Sequence, residues 1–334
     1  MLIRRCYAGL ETDRLRAETL DRLRGLLTVD AAFFATVDPA TLLFTSAFAD
    51  DPLRSASGEF MANEFGRADV NKFAELAQAS DPVSSVDHAT RGDRSASSRY
   101  VEVMAPLGLG DELRAALVSG GRCWGVICLH REDAEFGFSD RELRLVRRVA
   151  PHLAEGLRRS LLGGTTASTD VGPGVVVLDT GLDVVSISTE AEYWLAQLDP
   201  ERRTELPVAV RAAAAQLRRV HELSAAPVLK VRTPAGQWLA VHASTLRGAD
   251  GEQIAVVVEP ATAKQLGSFL LDVHGLTPAQ QRVTELLLQG CSTRQIVERL
   301  HLSPHTVQEH VRAAFDKVGV GSRRELVATL LGGH

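Results

Sequence analysis

Between residues 277 and 325 helix-start signals recur so closely that only short helices joined by tight turns can satisfy them. Thr277-Pro278-Ala279-Gln280 and Ser292-Thr293-Arg294-Gln295 read as capping boxes, the first with proline at the first helical position. Ser303-Pro304 adds a further cap, and Ser322-Arg323-Arg324-Glu325 a further box. Helices begun there stop near Gly290, Leu300, Gly319 and Gly332, since glycine ends a helix at low steric cost. The apolar residues agree with this parsing. Val283, Leu286 and Leu287, then Ile296 and Leu300, then Val307, Val311, Phe315 and Val318, then Leu326, Val327 and Leu330 recur at helical spacing. Only His301-Leu302-Ser303 separates the second helix from the third, the tight turn that a helix-turn-helix requires.

The third of these helices turns His305, Gln308, Glu309 and Arg312 away from its apolar stripe. In a major groove, glutamine can pair with adenine, glutamate can accept from cytosine, and arginine can grip guanine. Ser303, Thr306, Lys317, Arg323 and Arg324 sit at helix starts and turns, where phosphates are held. The same residues also describe a four-helix mini-bundle whose polar face meets only solvent, and composition does not separate the two readings.

The run LTPAQQRVTELLLQGCSTRQIVERLHLSPHTVQEHVRAAFDKVGVGSRRELVATLL resembles the LuxR-type DNA-binding domain, an output module of many bacterial response regulators and quorum sensors. SPHTVQEHV and DKVGVGSRRELV carry the resemblance. It implies that Pro304 to Val318 is the recognition helix, with Gln308, Glu309 and Arg312 reading bases and Ser303, Thr306, Lys317 and Arg323 near phosphates. It also implies that Leu326, Val327 and Leu330 on the last helix pair two copies. The partners implied are double-stranded promoter DNA, a second copy of the chain, and RNA polymerase. Many members carry lysine where this chain has Gln308, and a neutral or basic residue at Glu309. Losing a cation and adding a carboxylate weakens non-specific attraction to DNA, so the target sequence is not inherited from relatives.

At 334 residues the chain exceeds one hydrophobic core and is expected to hold two or three domains. Its net charge of −5 is uneven: residues 274–334 carry seven Arg/Lys against five Asp/Glu, leaving −7 on the rest. A mildly basic tail on an acidic body fits a module that approaches phosphates. No stretch is long and apolar enough to span a bilayer, and MLIRRCYAGLETDR becomes charged too early for a signal peptide. A cytoplasmic location with no membrane partner is the expectation. The four cysteines, Cys6, Cys123, Cys128 and Cys291, show no zinc spacing. A separation of five along a strand puts Cys123 and Cys128 on opposite faces, so no metal site is expected and the thiols read as structural.

Upstream, an amphipathic helix is expected over 10–27, strands over 31–38 and 42–49, and polar helices through Ala79. Asp81 to Arg99 reads as a mobile loop, followed by strands over 101–107, 113–119 and 124–130, the last two joined by a turn at Gly120-Gly121. Ser139-Asp140-Arg141-Glu142 opens a long helix striped by Leu143, Val146, Ala150, Leu153, Leu157 and Leu161, with a kink expected at Pro151. That stripe fits either a seam between two chains or packing on the chain's own sheet. CWGVICLHREDAEFGFSDRELRLVRRVAPHLAEGL resembles the close of a GAF domain, a sensor fold that often holds a small molecule beneath a flexible lid. The lid-like segment is 81–99, and His88 in it reads as a surface residue.

A small, polar linker precedes strands at 174–178 and 184–188, helices at 190–198 and 208–223, and strands at 228–233, 238–246 and 253–259. Asp250-Gly251 marks the final hairpin. This order resembles a PAS domain. Trp194, His221, Trp238 and His242 read as core or edge residues rather than cofactor ligands, and no cofactor is identifiable. A short helix over 261–273 bridges to the DNA reader.

The expectation is an α+β multidomain chain: a GAF-like α/β sensor at 1–162, a linker at 163–173, a PAS-like α/β unit at 174–260, a linker helix at 261–275, and an all-α four-helix LuxR-type helix-turn-helix at 276–334. The function expected is a sequence-specific, dimeric transcription regulator, controlled by a small-molecule effector or a protein partner at its sensor units. The alternative is that these units are ligand-free scaffolds for dimerisation or protein interaction. There is no P-loop, GxSxG elbow, HExxH, kinase signature or phosphoacceptor pattern, so an enzyme is not expected.

Overall fold

In the computed structural model, which describes residues 2–133, 135–162, 170–200, 205–217, 228–248 and 251–331, two five-stranded antiparallel sheets precede an all-helical end. The first unit comprises α1 (Leu2–Cys6), α2 (Thr12–Arg24), β1 (Ala31–Val37), β2 (Phe44–Ala49), α3 (Ser57–Gly66), α4 (Phe73–Leu76), β3 (Val83–Ser85), α5 (Val86–Thr90), β4 (Leu109–Ser119), β5 (Arg122–Glu132) and α6 (Asp140–Ser160). Its strands lie in the order β2-β1-β5-β4-β3. β1 is buried along its whole length, because alternate side chains feed two different cores. Phe33, Ala35 and Val37 join α3 in one core, while Ala32 and Phe34 meet α2 and α6 in the other.

The β4–β5 hairpin turns at Gly120 and Gly121, both at positive φ (61° and 75°), as a two-residue turn of right-handed twist demands. A bulge beside it, between Leu117 and Val118, upsets strict alternation on β5. Cys123 and Cys128 therefore join the same apolar core, which corrects the expectation of opposite faces.

α6 starts at the expected capping box on Ser139 and runs through Pro151 to Ser160. Leu143, Val146, Ala150, Leu153 and Leu157 are each at most 2% exposed within the single chain. A buried valine or leucine is worth roughly 1.5–3 kcal/mol over an exposed one, so offering this stripe to a second chain would forfeit much of the first domain's core. The stripe packs on its own sheet.

Two expectations fail together. Residues 81–99 hold β3, α5 and a 3-10 turn at Arg94–Ala96 rather than a loop without structure. Arg94 ties that segment down, pairing with Asp87 at 2.5 Å and Asp133 at 2.7 Å. The expected strand over 101–107 is instead a π turn at Tyr100–Met104 and a 3-10 turn at Ala105–Leu107. Pro106 there has no N–H to give a ladder, and Gly108 closes the turn in the left-handed region.

The second unit comprises β6 (Gly174–Leu178), β7 (Val184–Ile187), α7 (Thr189–Leu198), α8 (Val208–Gln216), β8 (Leu229–Arg232), β9 (Trp238–Gly248) and β10 (Gly251–Pro260). Its order, β7-β6-β10-β9-β8, repeats that of the first sheet strand for strand. Trp194 and Trp238 are buried, and the Trp194 indole donates to Gly172 O at 2.8 Å. His242 is half-buried and lies 3.0 Å from Glu259 on the neighbouring strand. His221, Asp250 and linker residues 163–169 lie outside the described residues. Then follow α9 (Ala263–Val273), α10 (Pro278–Leu288), α11 (Thr293–Leu300), α12 (Pro304–Val318) and α13 (Arg323–Leu331). Among the described residues no helix is long and apolar enough to cross a membrane.

Candidate nucleic-acid interface

The capping signals position α12. Thr277 and Ser292 form reciprocal capping boxes with Gln280 and Gln295, starting α10 and α11 where the sequence places them. His301 closes α11 in the left-handed region (φ 52°), and Ser303 caps α12 by accepting from Thr306 N at 3.1 Å. Val283, Leu287, Cys291, Ile296 and Val307 form a small separate core that locks α10, α11 and the start of α12.

With Val307 and Ala314 facing inward, Gln308, Glu309 and Arg312 are exposed. Among the described residues Gln308 and Arg312 have no hydrogen-bond or ion-pair partner, so their polar groups are free to bind. Glu309 lies 3.4 Å from His305 one turn earlier. The three residues expected to read bases thus share one solvent-facing side of one helix.

The residues expected at phosphates divide. Ser303 and Thr306 lie at the N-terminus of α12, where the helix dipole favours an anion, with Thr306 N already taken by the Ser303 side chain. Lys317 instead donates to Gly275 O at 2.7 Å and Gln280 Oε1 at 2.9 Å. Arg323 donates to Cys291 O at 3.0 Å and Leu287 O at 2.6 Å, closing the carbonyl end of α10. Both cations serve as intramolecular ties in this arrangement.

Leu326 and Leu330 of α13 were expected to pair two copies. In the single chain they are fully buried, in a core shared with Leu266, Phe269, Leu270 and Leu271 of α9. Val327 remains partly exposed. α9 itself is held from several sides. Arg122 of β5 donates to Asp272 at 3.0 Å, Arg158 of α6 donates to Val273 O, and Trp238 of β9 meets Phe269 edge-on at 4.9 Å. Gln281 of α10 donates to the same Asp272 carboxylate at 2.6 Å. The bridging helix expected between sensor and reader therefore touches the first unit, the second unit and the DNA reader.

The sequence reading missed a buried polar cluster on the α3 side of the first sheet. Arg99 donates to Glu112 at 2.7 Å, and Arg114 donates to Glu112 at 3.0 Å and Glu64 at 2.7 Å. Burial works against the Glu112 carboxylate, yet the Arg114 and Arg99 guanidiniums hold it well below the usual carboxylate range. Burial pushes the nearby Lys72 ammonium down to about 8 despite Glu64. Burial would raise Asp69, but hydrogen bonds from the Asn63 amide and Arg99 N–H outweigh it and hold the carboxyl at about 2. The signal was present in β4, where Asp111, Glu112 and Arg114 are the charged residues of a strand that is buried from Leu109 to Leu117. Starting that strand at Leu113 hid it.

Residues 274–330 match the model of the bacterial regulatory proteins of the luxR family, and residues 11–157 match that of the GAF domain. The spore germination protein GerE of Bacillus subtilis is 39% identical over 56 residues, covering 17% of this chain and 76% of that protein. A Mycobacterium bovis protein described as an HTH-type transcriptional regulator is 42% identical over 52 residues, covering 16% of this chain. The chain spans only 6% of the length of that mycobacterial relative. Among solved structures, SdiA in complex with octanoyl-rac-glycerol is 11% identical, covering 98% of this chain and 90% of that chain at a TM-score of 0.34. A Vibrio cholerae VqmA dimer is 20% identical, covering 48% of this chain and 82% of that chain at a TM-score of 0.24.

Proposed function

Because this chain belongs to the LuxR family of bacterial regulatory proteins, we propose that it is a transcription regulator that binds double-stranded promoter DNA as a homodimer. α12 enters the major groove, with Gln308, Glu309 and Arg312 at base edges and Ser303 and Thr306 at phosphates. The observation that carries this reading is the free, solvent-facing Gln308 and Arg312 on a helix whose opposite face is locked in its own core. Lys317 and Arg323 reach phosphates only by giving up their internal bonds. Leu326 and Leu330 pair two copies only once α9 has left them. RNA polymerase is the further partner, and the cytoplasm is the place of action.

Control is assigned to the GAF domain and to residues 174–260 acting as a PAS-like unit. One observation favours a small-molecule effector over an empty scaffold. A cavity of about 870 Å³, within the range typical of small-molecule sites, lies between the first and second units. Arg16, Phe60, Lys230, Arg232 and Trp238 line it, together with Phe269 of α9. A ligand there would touch the helix that covers α13.

Gel shifts of the full chain and of residues 274–334 on promoter fragments test the DNA-binding claim. Preference for particular fragments is expected. Failure of both proteins to prefer any fragment would overturn it.

A further inference from the structure

β4 and β5 place a mixed donor set inside the first unit. Glu112 and His130 stand directly opposite each other across the two strands, as do Arg114 and Cys128 one step along. Glu112, Cys128 and His130 are buried, and their ligand atoms all lie within 4.8 Å of one another. Glu112 Oε1 is 3.7 Å from His130 Nε2. Among the described residues neither ring nitrogen of His130 has a hydrogen-bond partner, although the side chain is only 2% exposed. Buried polar groups are nearly always hydrogen-bonded, and a bound ion is one thing that satisfies such a ring.

From this geometry we propose that Glu112, Cys128 and His130 form a binding site for one divalent transition-metal ion. Nitrogen, sulfur and a single carboxylate suit ions of borderline softness such as Zn²⁺ or Fe²⁺, whereas Mg²⁺ and Ca²⁺ require shells of oxygen. Around a tetrahedral ion, bonds of about 2.0–2.3 Å place neighbouring ligand atoms about 3.3–3.6 Å apart. The 3.7 Å between Glu112 Oε1 and His130 Nε2 is already close to that spacing, and all three ligand atoms lie within 4.8 Å of one another. Each Glu112 oxygen already accepts from one guanidinium, Oε2 from Arg99 and Oε1 from Arg114, which leaves a lone pair on Oε1 beside His130. The two arginines then orient the carboxylate, as hydrogen-bonding partners behind metal ligands do. On binding, the Cys128 thiol gives its proton to solvent and the sulfur lone pair goes to the ion. His130 also lines the 870 Å³ cavity, which supplies an entry route and a side for a fourth ligand. The site stands independently of the DNA-binding claim.

The test strips the full chain with a chelator, returns Co²⁺ alone, and records the ultraviolet and visible spectrum. One ion per chain is expected, with a thiolate-to-cobalt charge-transfer band and the visible bands of a four-coordinate ion, both abolished by added Zn²⁺. Cys128→Ser is expected to lose the charge-transfer band, and Cys123→Ser to keep it. If Cys128→Ser does not fold by circular dichroism, His130→Gln is read instead, with shifted visible bands and at least about 10-fold weaker binding expected, the low end of the loss on removing a partner behind a ligand. Three results would each overturn the site: no thiolate band in the unaltered chain, a band that survives in folded Cys128→Ser, or an unchanged spectrum and affinity in His130→Gln.

Discussion

At the scale of single residues, burial and partners decide which side chains are free to act. Arg312 is exposed and unpartnered among the described residues, so its truncation disturbs nothing inside the domain. Arg312→Ala is expected to weaken binding to the preferred site by about 1–3 kcal/mol and to relax preference at one base position. Competition binding against single-base variants of the site measures this, and an unchanged preference would remove Arg312 from the readers. Asp69 lies at the other extreme, its side chain fully buried. Its carboxyl is held at about 2, below its usual value, so the folded state binds the proton less readily than the unfolded chain. The stability this provides is present above pH 4 and drains away as pH falls from about 4 towards 2. It amounts to about 2 kcal/mol. Urea unfolding of the unaltered chain and Asp69→Asn should show a gap near that size at pH 5, closing as the medium is acidified. A gap constant with pH would show that the carboxylate charge is not what matters.

At the scale of elements, α9 and α13 show where local signals end and packing begins. The start residues of α10, α11 and α12 were legible because each carries its own cap, and a cap is written within four residues. The stripe on α6 was legible as apolar, but helical periodicity does not say which surface a stripe meets. Only the sheet beside it decided that. The same limit applies to Leu326 and Leu330, whose spacing marks an inner face without revealing that α9 covers it. Residues 101–107 misled for a related reason. Their β-branched and apolar residues suit a strand, but Pro106 and the neighbouring polar cluster impose tight turns instead. Leu326→Ala is expected to destabilise the full chain by about 2–5 kcal/mol through the cavity it leaves. Because its neighbours belong to the same chain, the loss should be the same at low and high protein concentration. A loss that shrinks on dilution would mean that Leu326 instead packs between copies.

At the scale of the whole molecule, two sheets of identical strand order stand before one small DNA reader, with α9 touching all three. The order of strands and helices in the second unit was legible from turn residues and alternation. The first unit was legible at its close and less so between 81 and 107. The contacts between units were not, because Arg122, Arg158 and Asp272 look like ordinary surface charges until the chain brings them together. The buried donor set escaped for the same reason, since Glu112 and His130 are eighteen residues apart and meet only across two strands. The central claim remains the groove-reading face of α12. Its most direct test is the ratio of affinities of the full chain for its selected promoter site and for a scrambled duplex, at one fixed salt concentration. A ratio of about 10³ or more is expected, falling towards one when Gln308, Glu309 and Arg312 are together replaced by alanine. A ratio near one in the unaltered chain, or one undiminished by that triple replacement, would contradict the account.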